Sequence, residues 1–112
     1  MVKLSKKAYS LLGLACNAGK AVSGYAAVSK ALDSSRLRLL LLTGDVSQNT
    51  AKQYTDKALN RGIEIHTVDD EFLCSCVGHP ERKVIAVLDD GFANAILKEI
   101  HILNVGVNSS NE

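Results

Sequence analysis

Apolar residues recur along this chain at two spacings that take turns. Between Ser5 and Asn17 the positions Ala8, Leu11, Leu12 and Ala15 fall three and four apart, one face of a helix, with Ser5 as a capping hydroxyl and Gly19 just past the end. Ala21, Val22 and Ser23 make a very short extended piece before Gly24 opens a second helix. Its inward stripe is Ala27, Val28, Ala31 and Leu32, and Asp33, Ser34 and Ser35 close it. Leu37 to Thr43 is almost unbroken leucine, which suits a strand covered on both sides. A buried helix would show the same run, but the short length and the Thr43-Gly44-Asp45 turn favour the strand.

Ser47, Asn49 and Thr50 offer caps for a third helix that reaches Asn60, and Gly62 supplies a left-handed stop. Ile63, Ile65 and Thr67 alternate with Glu64, His66 and Val68, the period of a strand. A short fourth helix is predicted from Asp69 or Asp70, burying Phe72, Leu73, Cys76 and Val77 until Gly78 and Pro80 break it. Val84 to Leu88 is another apolar strand; Asp89 and Asp90 then cap a last helix lined inwardly by Phe92, Ala93, Ile96, Leu97 and Ile100. The pattern predicts one domain over residues 4–103 and a flexible polar tail over 104–112. Strands alternating with helices imply an α/β fold, a single-domain three-layer α/β/α sandwich with about four strands and helices on both faces.

Composition supports a single core, since 112 residues with a 46% hydrophobic share fill one domain. The net charge of +1 conceals a division. Met1 to Arg38 carries seven bases (Lys3, Lys6, Lys7, Lys20, Lys30, Arg36 and Arg38) against one acid, Asp33, while the remainder has six bases and eleven acids. A basic segment attracts phosphates whatever the total, although halves of a sequence need not become halves of a surface. No apolar run reaches bilayer length, and the first residues lack the apolar core of a secretory signal, so no membrane partner and a cytoplasmic location are expected. Cys16, Cys74 and Cys76 form an odd set, two of them too close for an ordinary bridge, which fits a reducing compartment.

Four constellations bear on chemistry. In Asn17 to Gly24, glycines at 19 and 24 permit close backbone approach, and a helix beginning near Gly24 offers unpaired N–H groups and a positive dipole end to an anion. Lys20 precedes that end in sequence and Lys30 shares a helical face with Ala26 and Ala27, a combination suited to a phosphodiester backbone; the plainer reading is a glycine-bounded loop with solvated lysines. The segment is no nucleotide-binding P-loop, because it lacks the upstream glycine and the hydroxyl after the lysine. Cys74-x-Cys76-x-x-His79 has zinc-like donors, but His66 is the only near fourth ligand and Cys76 falls on a buried stripe. Asp45, Ser47, Asn49 and Asp56 follow a calcium-loop spacing without its glycine or terminal glutamate, and a turn with a helix cap explains them. Asp89-Asp90 is explained as a cap, and Cys16 alone is weak support for a nucleophile, so no catalytic residue, metal or cofactor is assigned and the chain reads as a binding protein, not an enzyme. The aromatic share of 4% argues against a stacking platform for single strands and favours a structured RNA.

The stretch Leu11-Leu12-Gly13-Leu14-Ala15-Cys16-Asn17-Ala18-Gly19-Lys20-Ala21-Val22-Ser23-Gly24 resembles the opening of the kink-turn RNA-binding ribosomal protein superfamily, its bacterial YlxQ-type members in particular. The likeness continues through Lys30-Ala31-Leu32, the Leu39 to Asp45 strand and turn, the Asn49 to Lys57 helix, and Val84-Ile85-Ala86-Val87 before Asp89-Asp90-Gly91-Phe92-Ala93, and covers nearly all residues from Leu4 to Ile100. It implies two RNA-binding regions, the head of the second helix at Gly24 to Lys30 and the loop before the last strand at Gly78 to Lys83. In the family that helix head reads sheared G·A pairs with an Asn-Glu pair placed after a glycine and before a lysine. Gly24 and Lys30 match, whereas Ala26 and Ala27 stand where the polar pair would be. Joined to the residue reading, the resemblance gives Lys20, Ser23, Gly24, Tyr25, Ala26, Ala27, Lys30, His79, Arg82 and Lys83 as the RNA-binding set. The implied partner is a kink-turn or related internal loop, ribosomal RNA included, with ribosomal or assembly-factor proteins beside it. The rival expectation is a protein-interaction module offering its alanine-lined helix.

Overall fold

The computed structural model describes residues 1–34 and 36–109, with side chains to residue 104. Its elements run α1 (Lys6–Asn17), β1 (Ala21–Ser23), α2 (Tyr25–Asp33), β2 (Leu39–Thr43), α3 (Gln48–Asn60), β3 (Glu64–Val68), a 3₁₀ turn (Leu73–Val77), β4 (Val84–Val87) and α4 (Asp90–Ser109). Local chemistry sets most boundaries. Ser5 Oγ accepts from Ala8 N at 3.1 Å to begin α1, Ser47 Oγ accepts from Thr50 N at 3.2 Å to begin α3, and Asp89 Oδ2 accepts from Phe92 N at 2.9 Å to begin α4. Ser34 closes α2, and Ser35 lies outside the described residues.

The sheet order is β1-β4-β2-β3. β2 pairs antiparallel with β4 and parallel with β3, while β1 pairs antiparallel with β4, so that Ser23 faces Ile85 and Leu41 lies between Ile85 and His66. Every residue of β2 is buried, as its continuous leucine run requires of a central strand. Alternation then divides the core between the two faces. Leu39 and Leu41 join Leu12, Ala15, Ile96 and Ile100 under α1 and α4; Leu40 and Leu42 join Val28, Leu32 and Tyr54 under α2 and α3. The predicted three-layer sandwich is thereby observed.

Two details differ from the sequence reading. The short fourth helix is only a 3₁₀ turn: Asp70 Oδ1 accepts from Phe72 N at 2.8 Å, Leu73 and Cys74 go inward, Cys76 and Val77 are half-buried, and Phe72 stays 60% exposed. Three residues per turn rotate the side chains differently from an α-helix, so a stripe drawn at α spacing misplaces Phe72. The turn packs tightly on α1, where a Cβ on Gly13 would meet Cys76 O at 2.9 Å. The second difference is α4, which runs to Ser109, past the boundary expected at residue 104. Asn104 exchanges hydrogen bonds of 3.2 Å with both the N–H and the carbonyl of Lys3, which ties this part of the helix to the start of the chain. Residues 110–112 lie outside the described residues. No helix among those described is long and apolar enough to cross a membrane.

Candidate nucleic-acid interface

Because β1 ends at Ser23 and α2 begins at Tyr25, the chain must turn from strand to helix within one residue. Gly24 makes that turn at φ 91°, a region that strains any residue with a Cβ. Its N–H donates to Val84 O at 3.0 Å, and its carbonyl accepts from Val28 N at 3.0 Å. Glycine has no side chain with which to cap the helix, so the first-turn amides of α2 have no side-chain partner there and the positive end of the dipole is uncovered. Tyr25 and Ala26 are exposed and Ala27 is half-buried.

The antiparallel pairing of β1 with β4 brings the end of β1 beside the start of β4, and with it the loop 78–83. Gly78 turns left-handed at φ 84°; His79 N then donates to Cys74 O and Arg82 N to His79 O, both at 3.0 Å. Arg82 reaches across from this loop. Its Nη1 donates to Ser23 Oγ at 2.9 Å and to Ser23 O at 3.4 Å, and its stem passes over Gly24, where a Cβ would lie 3.3 Å from Cδ. The two regions named from the resemblance therefore form one continuous surface, with a guanidinium beside the uncapped amides. Ser23 is buried and serves to hold Arg82.

Other members of the sequence-derived set sit differently. Lys83 forms an ion pair with Asp45, which also accepts from Thr43 Oγ1 at 2.6 Å. The hydrogen bond from Lys83 holds the Asp45 carboxyl below the usual carboxylate range, and the same bond pushes the Lys83 ammonium up. Its charge is thus offset within the protein. Tyr25 stacks on Tyr54, ring centroids 6.2 Å apart at 18°, so one face of its ring is covered while the side chain stays 44% exposed. His79 is half-buried with Nδ1 3.8 Å from the Glu81 carboxylate. Lys30 is exposed on α2, about 7.5 Å along the axis from Tyr25.

Lys20 is not beside the helix head. Its carbonyl accepts from Leu88 N at 2.8 Å, at the other end of β1 and β4, about 13 Å from Gly24 at the rise of a strand. Proximity in sequence is misleading here because Ala21 to Ser23, short enough to pass for a brief link, form an extended strand that carries Lys20 away. The far side of the same sheet end is acidic: Asp45, Asp69, Asp70 and Glu71 line a cavity of about 470 Å³ beyond β2 and β3. This end of the sheet is divided, cationic over β1 and β4 and anionic over β2 and β3, with the Lys83–Asp45 pair at the border.

The other constellations resolve into structural roles. Cys74 Sγ points at Val84 O, 3.8 Å away, and Cys76 Sγ at Leu73 O, 3.1 Å away, so they do not converge with His79. Burial pushes these thiols up to about 12 and about 11, which disfavours the thiolate a metal needs. Asp45 is engaged by Lys83 and Ser47 caps α3, which accounts for half of the calcium-like spacing. The Arg82–Ser23 contact, the Lys83–Asp45 pair and the Tyr25–Tyr54 stack have no signal in the sequence, since each depends on which strands are neighbours.

Fold and site together define a small α/β/α binding protein in which an uncapped helix head and a cationic loop meet at one end of the sheet. The chain belongs to the ribosomal protein L7Ae/L30e/S12e/Gadd45 family, whose model matches residues 6–97. It is 42% identical over 90 residues to the RNA-binding protein YlxQ of Bacillus subtilis (strain 168), covering 80% of this chain and 90% of that protein. It is 30% identical over 89 residues to the RNA-binding protein YlxQ of Enterococcus faecium, covering 79% and 85%. A solved structure described as a protein with unknown function from Bacillus halodurans C superposes with a TM-score of 0.79 at 32% identity, over 86% of this chain and 98% of that one. The family match bears out the expectation that the chain is not an enzyme.

Proposed function

We propose that this chain binds a structured RNA of the kink-turn kind through the head of α2 and the loop before β4, as a ribosome-associated or ribosomal-like protein. The observation that carries the reading is Arg82 held on Ser23 over Gly24, which sets a fixed cation beside the uncapped first turn of α2. The naming of two relatives as RNA-binding proteins and the ribosomal character of the family support RNA as the partner. Phosphate contacts position a protein and base contacts specify sequence, so Ala26 and Ala27 spare the first and weaken the second. Binding is then modest, salt-sensitive and tolerant of base identity.

Titration of a kink-turn RNA and a straight duplex of the same length at two salt concentrations tests this. With Arg82, Lys30 and one further cation on phosphates, log affinity falls with log salt at a slope of about −2.7, so fourfold more salt weakens binding roughly 40-fold. No measurable binding to either RNA would remove the proposal. A second reading, a protein-interaction module that has lost RNA binding, draws on Ala26 and on the neutralisation of Lys83 by Asp45. Nucleic acid co-purifying with the protein, seen as a raised absorbance ratio at 260 over 280 nm, excludes it.

A further inference from the structure

At the edge of the sheet opposite β1, side chains from two elements turn their donor atoms toward one point. Glu64 and His66 stand two apart on β3 and so share a face of the strand. Their register partners are Leu39 and Leu41, whose side chains belong to the core under α1 and α4, which identifies the face. His101 follows buried Ile100 on α4 and meets them there. Nε2 of His66 lies 2.6 Å and Nε2 of His101 3.5 Å from the same atom, Oε2 of Glu64, and all three donors lie within 4.8 Å of one another. Among the described residues no other group of three His, Cys, Asp or Glu side chains converges in this way.

We propose that Glu64, His66 and His101 form a binding site for a divalent transition-metal ion of the zinc or nickel class. Two imidazoles and one carboxylate are the mixed nitrogen and oxygen set that such ions prefer, whereas magnesium and calcium take oxygen alone. The geometry is close to what is needed. Metal–ligand bonds of about 2.0–2.1 Å at tetrahedral angles hold donors roughly 3.3 Å apart, and the separations of 2.6 and 3.5 Å from Glu64 Oε2 lie on either side of that value. The ion takes the place of the hydrogen now shared between His66 Nε2 and Glu64, the ring proton passing through solvent to Nδ1 so that the imidazole stays neutral, and small side-chain rotations complete the set. Those rotations are cheap, because Glu64 and His101 are 42% and 59% exposed in their side chains while the strand and helix beneath them stay fixed. No Lys or Arg is ion-paired with Glu64 among the described residues. A bound ion would pin α4 to the edge strand. The site is separate from the RNA interface, and its failure would leave that proposal untouched.

Zinc chloride or nickel chloride titrated into the full chain at about pH 7.5, where free imidazole is neutral, tests it by calorimetry and by the ring signals of the histidines. The expected result is one ion per chain, ring signals of His66 and His101 that shift while His79 stays in place, and a melting temperature that rises with the ion. Glu64→Gln and His101→Gln both alter exposed side chains and are expected to fold normally and to lose the rise. Absence of binding up to about 1 mM ion, equal shifts of all the histidines, a thiolate-to-metal absorption band, or an undiminished rise in both variants would each overturn the proposal.

Discussion

Restoring a polar pair at the head of α2 should convert permissive RNA binding into selective binding. Ala26 and Ala27 are the second and third residues of the helix, one exposed and one half-buried, on the turn that also presents its amides beside Arg82. In the double variant Ala26→Asn, Ala27→Glu, the asparagine costs about 0.7 kcal/mol of helix propensity, and the glutamate returns about 0.3–1 kcal/mol by facing the positive end of the dipole. Stability should therefore change little. Each good base contact contributes about 1–3 kcal/mol of discrimination, so two contacts give at least about 2 kcal/mol, roughly 25-fold at tenfold per 1.4 kcal/mol. Fluorescence anisotropy with a kink-turn RNA and its straight duplex reads both. The gain should appear on the kink-turn alone, with the duplex slightly weakened by the added negative charge. An equal gain on both RNAs, or none on the kink-turn in a variant that melts like the parent, would refute the placement of base readout at this helix head.

Arg82→Ala should weaken binding to both RNAs alike and make the salt slope shallower by about 0.9, the signature of one lost phosphate contact; an unchanged slope means Arg82 does not face RNA. Asp45→Asn should release Lys83 and steepen the slope by a similar amount. The depressed Asp45 carboxyl keeps that ion pair intact above the usual carboxylate range and loses it as pH falls through the lowered value, while the raised Lys83 stays charged well past neutrality. The wild-type slope should accordingly steepen only in acid, and Asp45→Asn should abolish that change. Leu41→Ala, at a fully buried position in the core under α1 and α4, should cost about 2–5 kcal/mol in denaturant unfolding, and a loss under 1 kcal/mol would contradict burial of β2 on that face. A thiol reagent at neutral pH should leave Cys74, fully buried and pushed up to about 12, unmodified until the protein unfolds; fast labelling of Cys74 in the native state would contradict that packing.

Features set by neighbours along the chain are legible in the residues themselves. Ser5 and Ser47 bond to amides three residues on, Gly24 and Gly62 take positive φ where turns demand it, and the leucine run of β2 announces a strand buried on both sides. Features set by strand order are not. Lys20 stands close to Gly24 in sequence, yet the extended β1 separates them; Arg82 is remote from Ser23 in sequence, yet its loop leads into β4, the antiparallel neighbour of β1. The charge of Lys83 reads as free along the chain, whereas the pairing of β2 with β4 places Asp45 against it. Phe72 shows a subtler failure, in which the right residues carry the wrong helical period.

The most direct test of the account follows backbone amide signals by NMR while a kink-turn RNA is added to the full chain. Shifts should concentrate at Ser23 to Lys30 and at His79 to Lys83, the two segments that Arg82 joins. Shifts confined to the acidic side of that sheet end, around Asp69 to Phe72, or to the Lys20 end of β1, would contradict it.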